Sequence, residues 1–493
     1  MSSAPSLSSP SVSAHRPLRL AVIGAGWAGL AAAVRAALAG HEVSVFEAAR
    51  EPGGRARAVT LLLPDGRSIQ ADNGQHILIG AYSATLALMR RVGVEPDALL
   101  LRRPLALRYP DGRGLALPPL GLARLLPAPV AAALGMVCAR GWPWRARLAL
   151  LRRAHQWQRM RFACAAQASV ADLCQGLPAP LLDEFIEPLC VSALNTPPHE
   201  ASGAVFLRVL HDALFAVAGG ADALLPRTDL GQLWPRPALQ WLAAQGAQVH
   251  LGQRVLALAA AESAEFAESA PGAAWQVQTA QGVQRFDAVV LATSASHALP
   301  LLEGALPTLD AQAAAAVQHW MAQAAALRFT AITTVYAQAE SDNTAATLLP
   351  APMLALRSGP QAPAQFVFER DALHPAPLLI RRSGEAEHAP TRVLAFVVSN
   401  SGAHPAVDLP AAVAAQAQRQ LGLPVRVLRS VCEKRATFAC TPALERPPAA
   451  IAYGLAAAGD YLQGPYPATL EGAMRSGWQA LAALGLEDAP PAL

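Results

Sequence analysis

The chain predicts an α/β fold, in which a Rossmann dinucleotide-binding unit is combined with a mixed α+β domain split in sequence. Three observations predict it. The glycines of AVIGAGWAGL (21–30), Gly24, Gly26 and Gly29, have the spacing of a phosphate-binding turn between a strand and a helix. Buried-strand patterns ending in small residues return in FDAVVLATSASHA (286–298) and LAAAGD (455–460). Two long insertions of different character, residues 100–218 and 303–450, separate these pieces.

Taken in order, LRLAVIGAG (18–26) reads as a buried strand and AGLAAAVRAALAGHE (28–42) as a helix stopped by Gly40. VSVFEA (43–48) reads as a second strand. Gly24 permits the tight turn, Gly26 lets a pyrophosphate approach the backbone, and Gly29 lets helix and strand pack closely. The helix N-terminus then faces the phosphates, and Glu47, ending the second strand, is placed to accept from ribose hydroxyls. Residues 219–258 read as a helix and then a strand that ends near Val255. The first insertion is Leu/Arg/Trp-rich and helical in period. The second mixes an alanine-rich helix with strand-like FTAITTVYA (329–337), QFVFER (365–370) and VLAFVVS (393–399).

The expected organisation has six pieces. Residues 1–16 form a disordered tail. Residues 17–99, 219–302 and 451–493 make the nucleotide-binding domain, and 100–218 with 303–450 make the substrate domain. AESAEFAESAPGA (261–273) reads as a surface loop.

Hydrophobic residues are 53% of the chain but aromatics only 5%, a balance that suits helices and an apolar cavity rather than a base-stacking surface. The net charge of +4 is almost wholly arginine, since Lys434 is the sole lysine. It reads as dispersed, which argues against a nucleic-acid partner. The six cysteines form no CxxC pair and no zinc spacing, so buried free thiols and no metal are expected. The N-terminal residues lack the basic start and apolar core of a signal peptide. No run reaches the ~18–20 apolar residues that cross a bilayer. A cytoplasmic protein, or one peripheral on the inner face of the membrane, is the expectation. ARLLPAPVAAALGMVCARGWPWRARLALLRRAHQWQRMRF (123–162), with Trp142, Trp144 and dense arginine, reads equally as an interfacial segment or as a helical subdomain with a solvated face.

The residues after Glu47 choose the dinucleotide. Gly53, Gly54 and Arg55 resemble the GG-R extension of the glutathione-reductase-like FAD superfamily shared by amine oxidases and carotenoid desaturases. Two glycines let the backbone run close to the pyrophosphate while the arginine neutralises it. That resemblance implies further FAD contacts. In ADNGQHILIG (71–80), Gly74, Gln75 and His76 would lie along the isoalloxazine, although an apolar run also suits His76 as a core histidine. The backbone of Val255 would meet the adenine. Gly459 and Asp460, then Thr469 and Leu470 opening PATLEGAMRSG, would close the site with a helix N-terminus at the flavin's pyrimidine edge. Noncovalent FAD is expected, because no Cys or His sits in a flavin-linking motif.

The stretch EFIEPLCVSALNTPPHEASGAVFLRVL (184–210), with ADNGQHILIGAY, KRATF (434–438) and GPYPATLEGAMRSG, resembles the hydroxysqualene dehydroxylase family, also described as squalene-associated FAD-dependent desaturases. The similarity runs from about residue 18 to 485, with 184–210 its more specific part. It implies reductive removal of a hydroxyl from hydroxysqualene, a C30 isoprenoid, to give squalene for hopanoid synthesis. Association with squalene-pathway synthases goes with it. With no second GxGxxG, electrons are expected from NAD(P)H bound transiently or from a separate reductase. A general acid must reach the leaving oxygen. His76, Glu187 and Tyr466 are the catalytic candidates, with Glu184 and Lys434 beside them. Glu184 and Glu187 stand one helical turn apart, where a shared solvated face is the plainer reading. The rival readings are a carotenoid-type desaturase, an amine oxidase, and a non-catalytic prenyl-binding protein of the same fold.

Overall fold

The computed structural model describes residues 16–119, 125–261, 274–340, 347–373 and 391–486. The expected tail up to residue 15, and all of AESAEFAESAPGA except Ala261, lie outside them. The predicted βαβ unit forms as β1 (Arg19–Ile23), α1 (Trp27–Leu38) and β2 (Glu42–Glu47). Gly40 stops α1 with φ +85°, and the amide of His41 donates back to the Ala36 carbonyl.

These elements enter a six-stranded sheet in the order Gln248–Leu251, β2, β1, Ala288–Leu291, Leu455–Ala457, Ala450–Ala452. The first five strands are parallel and the last is antiparallel. Helix α1 covers one face of the central strands, and the antiparallel sheet of Val255–Ala260, Trp275–Thr279 and Gly282–Phe286 covers the other, which is why β1 and Ala288–Leu291 are apolar runs without alternation. Ile23 pairs with Phe46 on one side and Leu291 on the other, and Leu291 pairs with Ala457. One sheet edge therefore gathers the segments that follow each strand: the Gly24 turn, Glu47, Ala292-Thr293 and Gly459-Asp460. Ligands of open parallel sheets bind at that carboxyl edge.

The alanines of α1 serve a packing purpose. A Cβ on Gly477, in helix Leu470–Ala483, would meet Ala32 N at 2.6 Å and Ala28 O at 2.9 Å, so the two backbones nearly touch. Glu471 on the same helix is fully buried. It accepts from the Ala84 and Thr85 amides at the N-terminus of helix Ser83–Arg91, from the Thr85 hydroxyl, and from Arg475 Nε at 2.7 Å.

The second insertion forms a five-stranded antiparallel sheet, ordered Met353–Ala355, Phe366–Glu369, Val393–Ser399, Phe329–Ala339, Val425–Phe438. The strand-like stretches read from sequence supply three of its strands. The first insertion is mainly helical but also holds short strands at Leu100–Arg103, Ala106–Arg108 and Gly114–Ala116. Val255 does not end the expected strand: that strand stops at Leu251, and Val255 opens a new one, Val255–Ala260.

Within the first insertion, two π-helical turns occur at Leu182–Ile186 and His211–Ala216. The wider π turn breaks the i, i+3 alignment of Glu184 with Glu187. Glu187 is exposed, whereas Glu184 is buried and accepts from Arg113 Nε at 3.1 Å, Arg357 at 3.0 Å and Trp142 Nε1 at 2.8 Å. The shared solvated face does not form, and Glu184 instead ties three distant segments together. Burial raises its pKa, but these three donors more than offset that and hold it below the usual carboxylate range.

Asn195, left-handed at φ 47° and buried, ends helix Glu187–Leu194. Its amide donates to the Thr330 and Thr437 hydroxyls, and its oxygen accepts from the Asn400 amide at 2.6 Å. The 184–210 stretch thereby docks the helical insertion onto the antiparallel sheet. All six cysteines are free. Cys174, Cys190 and Cys440 are buried as expected, but Cys138 and Cys432 are exposed. Among the described residues no helix is long and apolar enough to cross a membrane, and no His/Cys/Asp/Glu group could hold a metal.

Candidate active site

The glycine turn is built by exclusion. Gly24 has φ +115°, and a Cβ there would lie 2.6 Å from the Ala292 carbonyl oxygen. A Cβ on Gly29 would lie 1.9 Å from the Gly24 carbonyl oxygen and 2.8 Å from Ala292 Cβ. Gly26 differs, because among the described residues, its chain neighbours aside, the only atom within 4 Å of its missing Cβ is Gly54 Cα, at 4.0 Å. The Gly53-Gly54 turn lies against Gly26, with the Gly53 amide donating to the Ala25 carbonyl at 2.8 Å. The two glycine turns read separately from sequence thus form one surface.

Glu47 accepts from the Ala25 and Ala49 amides, both at 2.8 Å, and so holds the turn while keeping further lone pairs available. The chain returning toward Val255 passes beside it, with the Gln253 amide donating to the Glu47 carbonyl at 2.8 Å. Arg55 pairs with Asp460 and donates to the Ala436 carbonyl at 2.6 Å, which brings three remote motifs together. Burial lowers its pKa, yet Asp460 more than compensates and leaves it raised. Gly459 donates to Ser476 Oγ, and the Ala468 amide donates to the Asp460 carbonyl. Thr469 caps helix Leu470–Ala483 at the Gly472 amide.

His76 Nδ1 lies 2.6 Å from the Gly74 carbonyl, which can only accept, so Nδ1 carries the proton and Nε2 is an acceptor. Burial, with Arg55 nearby, pulls its pKa below the usual value. In that state His76 has no proton on Nε2 to give at neutral pH. Tyr466 does hold a proton at neutral pH, since burial and then Asp212 push its pKa up to about 12, although the same shift makes it a weaker acid than an ordinary tyrosine. Asp212, on the second π turn, is shared by Tyr466, Arg208 Nε at 2.5 Å and His211 Nδ1 at 2.6 Å. Glu187 and Lys434 are exposed. Burial and then Asp183 raise the Glu187 pKa.

Several residues here were not read from sequence. Arg370 is 1% exposed, lies 3.5 Å from Gln75 Oε1, and donates to the Gln70 carbonyl at 3.0 Å. Tyr336 donates to the Asp72 carbonyl at 2.6 Å. These residues reach the 71–76 segment from the far sheet and leave no local pattern. Burial raises the Asp72 pKa to about 7 against the pull of Arg370 and the Leu230 amide. The folded state keeps this proton up to about pH 7, whereas an unfolded Asp releases it near pH 4. Between those values the folded form binds more protons, so stability falls as pH rises, by at most about 1.4 kcal/mol per pH unit. Asp72→Asn is expected to flatten that slope in denaturant titrations. A wild-type chain equally stable at pH 4.5 and 7 would contradict the assignment.

The family model for flavin containing amine oxidoreductases matches residues 27–484, and the chain belongs to that family. Its cofactor is FAD. Hydroxysqualene dehydroxylase from Rhodopseudomonas palustris is 29% identical over 251 residues, 48% of this chain and 53% of that protein. The enzyme of the same name from Sinorhizobium fredii is 26% identical over 308 residues, 58% of this chain and 64% of that protein. The match thus spans between half and two thirds of these curated relatives. Zeta-carotene desaturase from Capsicum annuum is 35% identical over only 83 residues, 17% of this chain and 13% of that protein.

The fold is shared with an oxidoreductase from Methanosarcina mazei, at TM-score 0.65 and 16% identity, covering 93% of this chain and 99% of that one. Cyclohexylamine oxidase from Brevibacterium oxydans matches at TM-score 0.61 and 16% identity, covering 95% and 99%.

The chain's own residues fit FAD. The space over Gly26 is open where a pyrophosphate needs it. The Thr293 hydroxyl, next to the Gly24 turn, is buried without a partner. So is the Thr334 hydroxyl, 3.9 Å from the missing Cβ of Gly74.

Proposed function

We propose that this protein is an FAD-dependent oxidoreductase that removes the hydroxyl of hydroxysqualene to give squalene. The length of the alignments to hydroxysqualene dehydroxylases, against the short ones to carotene desaturases, carries the reading. The nucleotide lobe is residues 17–99, 219–302 and 451–493, and the substrate lobe is 100–218 with 303–450. Gly24, Gly26, Gly29, Gly54 and Arg55 hold the pyrophosphate, Glu47 the ribose and Val255 the adenine. Gly74, Gln75 and His76, with Gly459, Asp460, Thr469 and Leu470, hold the flavin end. Bound FAD supplies the hydride-level redox chemistry.

The conversion consumes one hydride equivalent and one proton and releases water. Tyr466, protonated across the neutral range, gives the proton to the departing hydroxyl. His76 Nε2 orients that hydroxyl by accepting from it. The apolar residues of the substrate lobe bind the C30 chain, at about 0.8 kcal/mol per buried CH2. The substrate comes from the membrane and from squalene-pathway synthases, and electrons come from NAD(P)H or a separate reductase.

Photoreduced enzyme mixed anaerobically with hydroxysqualene is expected to reoxidise in one turnover and release squalene. Reduced enzyme that ignores the alcohol, while oxidised enzyme bleaches on a polyene, would establish the desaturase instead. Glu47→Ala is expected to weaken FAD binding without unfolding the protein, and full flavin occupancy after gel filtration would count against it. Acid precipitation is expected to release the flavin.

A further inference from the structure

The charge that reads as dispersed in sequence is gathered on one part of the fold. Between Asp111 and Asp172 there is no Asp or Glu, while nine arginines occur: 113, 124, 140, 145, 147, 152, 153, 159 and 161. On helix Trp144–Arg159, Arg145, Arg152 and Arg159 are exposed and stand seven residues apart, so they run along one face. Among the described residues none of the three makes an ion pair with a carboxylate. The preceding helix, Ala128–Val137, exposes Val130, Leu134 and Val137 at i, i+4 and i+7, by 49%, 36% and 46%. Leu125 just before it is 81% exposed and Trp144 just after it 67%. Arg147 donates to the Val137 and Trp142 carbonyls, which brings the two helix ends together. The two neighbouring tryptophans thus differ: Trp142 is buried on Glu184, and Trp144 points to solvent.

An apolar ridge beside a row of cations that have no carboxylate partner among the described residues, with Arg145 over the Trp144 ring, complements a surface that is negative outside and apolar within. We propose that Leu125, Val130, Leu134, Val137 and Trp144, with Arg145, Arg152 and Arg159, dock this protein on a bilayer bearing anionic phospholipid headgroups. The apolar side chains enter the headgroup–acyl boundary and the guanidiniums pair with phosphates above it. Helix Ala128–Val137 also packs on the π turn His211–Ala216, whose Asp212 reaches Tyr466. The docked face is thus two contacts from the candidate proton donor. This inference rests on the functional reading only in taking the substrate to be a membrane-dissolved lipid.

The test uses full-length, FAD-loaded protein without substrate and vesicles of phosphatidylcholine with or without phosphatidylglycerol. Binding is expected to the anionic vesicles, to weaken in high salt, and to fall about fivefold for each of Arg145→Gln, Arg152→Gln and Arg159→Gln. Val130→Ser with Leu134→Ser is expected to lower it at least tenfold, with flavin content and thermal midpoint unchanged. Brominated lipid is expected to quench fluorescence that Trp144→Phe removes. Equal binding to neutral and anionic vesicles would overturn the proposal. So would a dimer that the same variants disperse without lipid. Wild-type protein that binds no anionic vesicles yet turns over hydroxysqualene in detergent would sink the docking face alone; wild-type protein that binds vesicles but does not convert hydroxysqualene would sink only the reaction.

Discussion

Gly29→Ala is expected to reduce flavin occupancy of the purified protein below a tenth of wild type and to lower its thermal midpoint. The reason is geometric. The new methyl would sit 1.9 Å from the Gly24 carbonyl oxygen, and that atom is backbone with Ala292 close behind it. Relief requires α1 to move away from β1, but α1 is clamped on its other side by Gly477, where the two helix backbones already touch. Strain at this one position therefore reaches both the phosphate-binding turn and the helix pair that closes the site. Absorbance near 450 nm against protein absorbance, with a melting curve, measures both effects. Wild-type flavin content in Gly29→Ala would mean that the turn is not the pyrophosphate cradle.

Glu471→Ala is expected to cost about 3–5 kcal/mol, the range for breaking a buried ion pair by removing one partner. Arg475 is 7% exposed and would lose Glu471, keeping the Ser83 hydroxyl at 3.0 Å. The amides of Ala84 and Thr85 would lose their acceptor at the same time, uncapping helix Ser83–Arg91. A chemical-denaturation midpoint gives the loss directly. Glu471→Gln keeps the shape and one of the two acceptor oxygens, so it can still accept from one of the two backbone amides and is expected to recover part of the deficit. Two variants equally close to wild type would show that the pair carries no stability.

The nucleotide-binding half was legible because its signals are local. A strand, three glycines, a helix and Glu47 lie within thirty residues, and each has a steric or electrostatic reason to be where it is. What sequence could not show is pairing at a distance. Arg55 and Asp460 each read as a motif residue, but nothing in either stretch says that they touch. Arg370 sits at the end of QFVFER, which reads only as a strand, and its approach to Gln75 depends on the five-stranded sheet assembled within the second insertion. The Glu184–Glu187 reading failed for a backbone reason. Helical spacing does not hold across a π turn, which rotates one carboxylate inward to two arginines and a tryptophan and leaves the other outside. The i, i+4 spacing of Glu471 and Arg475 was visible, but not that both are buried.

The strand order of the six-stranded sheet has a consequence for how the chain is made. Ala288–Leu291 has its partner on one side in β1 but on the other in Leu455–Ala457, and Gly477 must reach α1 before that helix is covered. A ribosome adding about 5–20 residues per second leaves an interval on the order of ten seconds between these strands. Throughout it the nascent chain presents an open, wholly apolar edge, AVVL, together with the uncovered face of α1. Such an edge pairs readily with other chains. Vectorial synthesis thus leaves the edge without this partner until residue 455 has been added, and any truncation before that residue leaves it without the partner permanently.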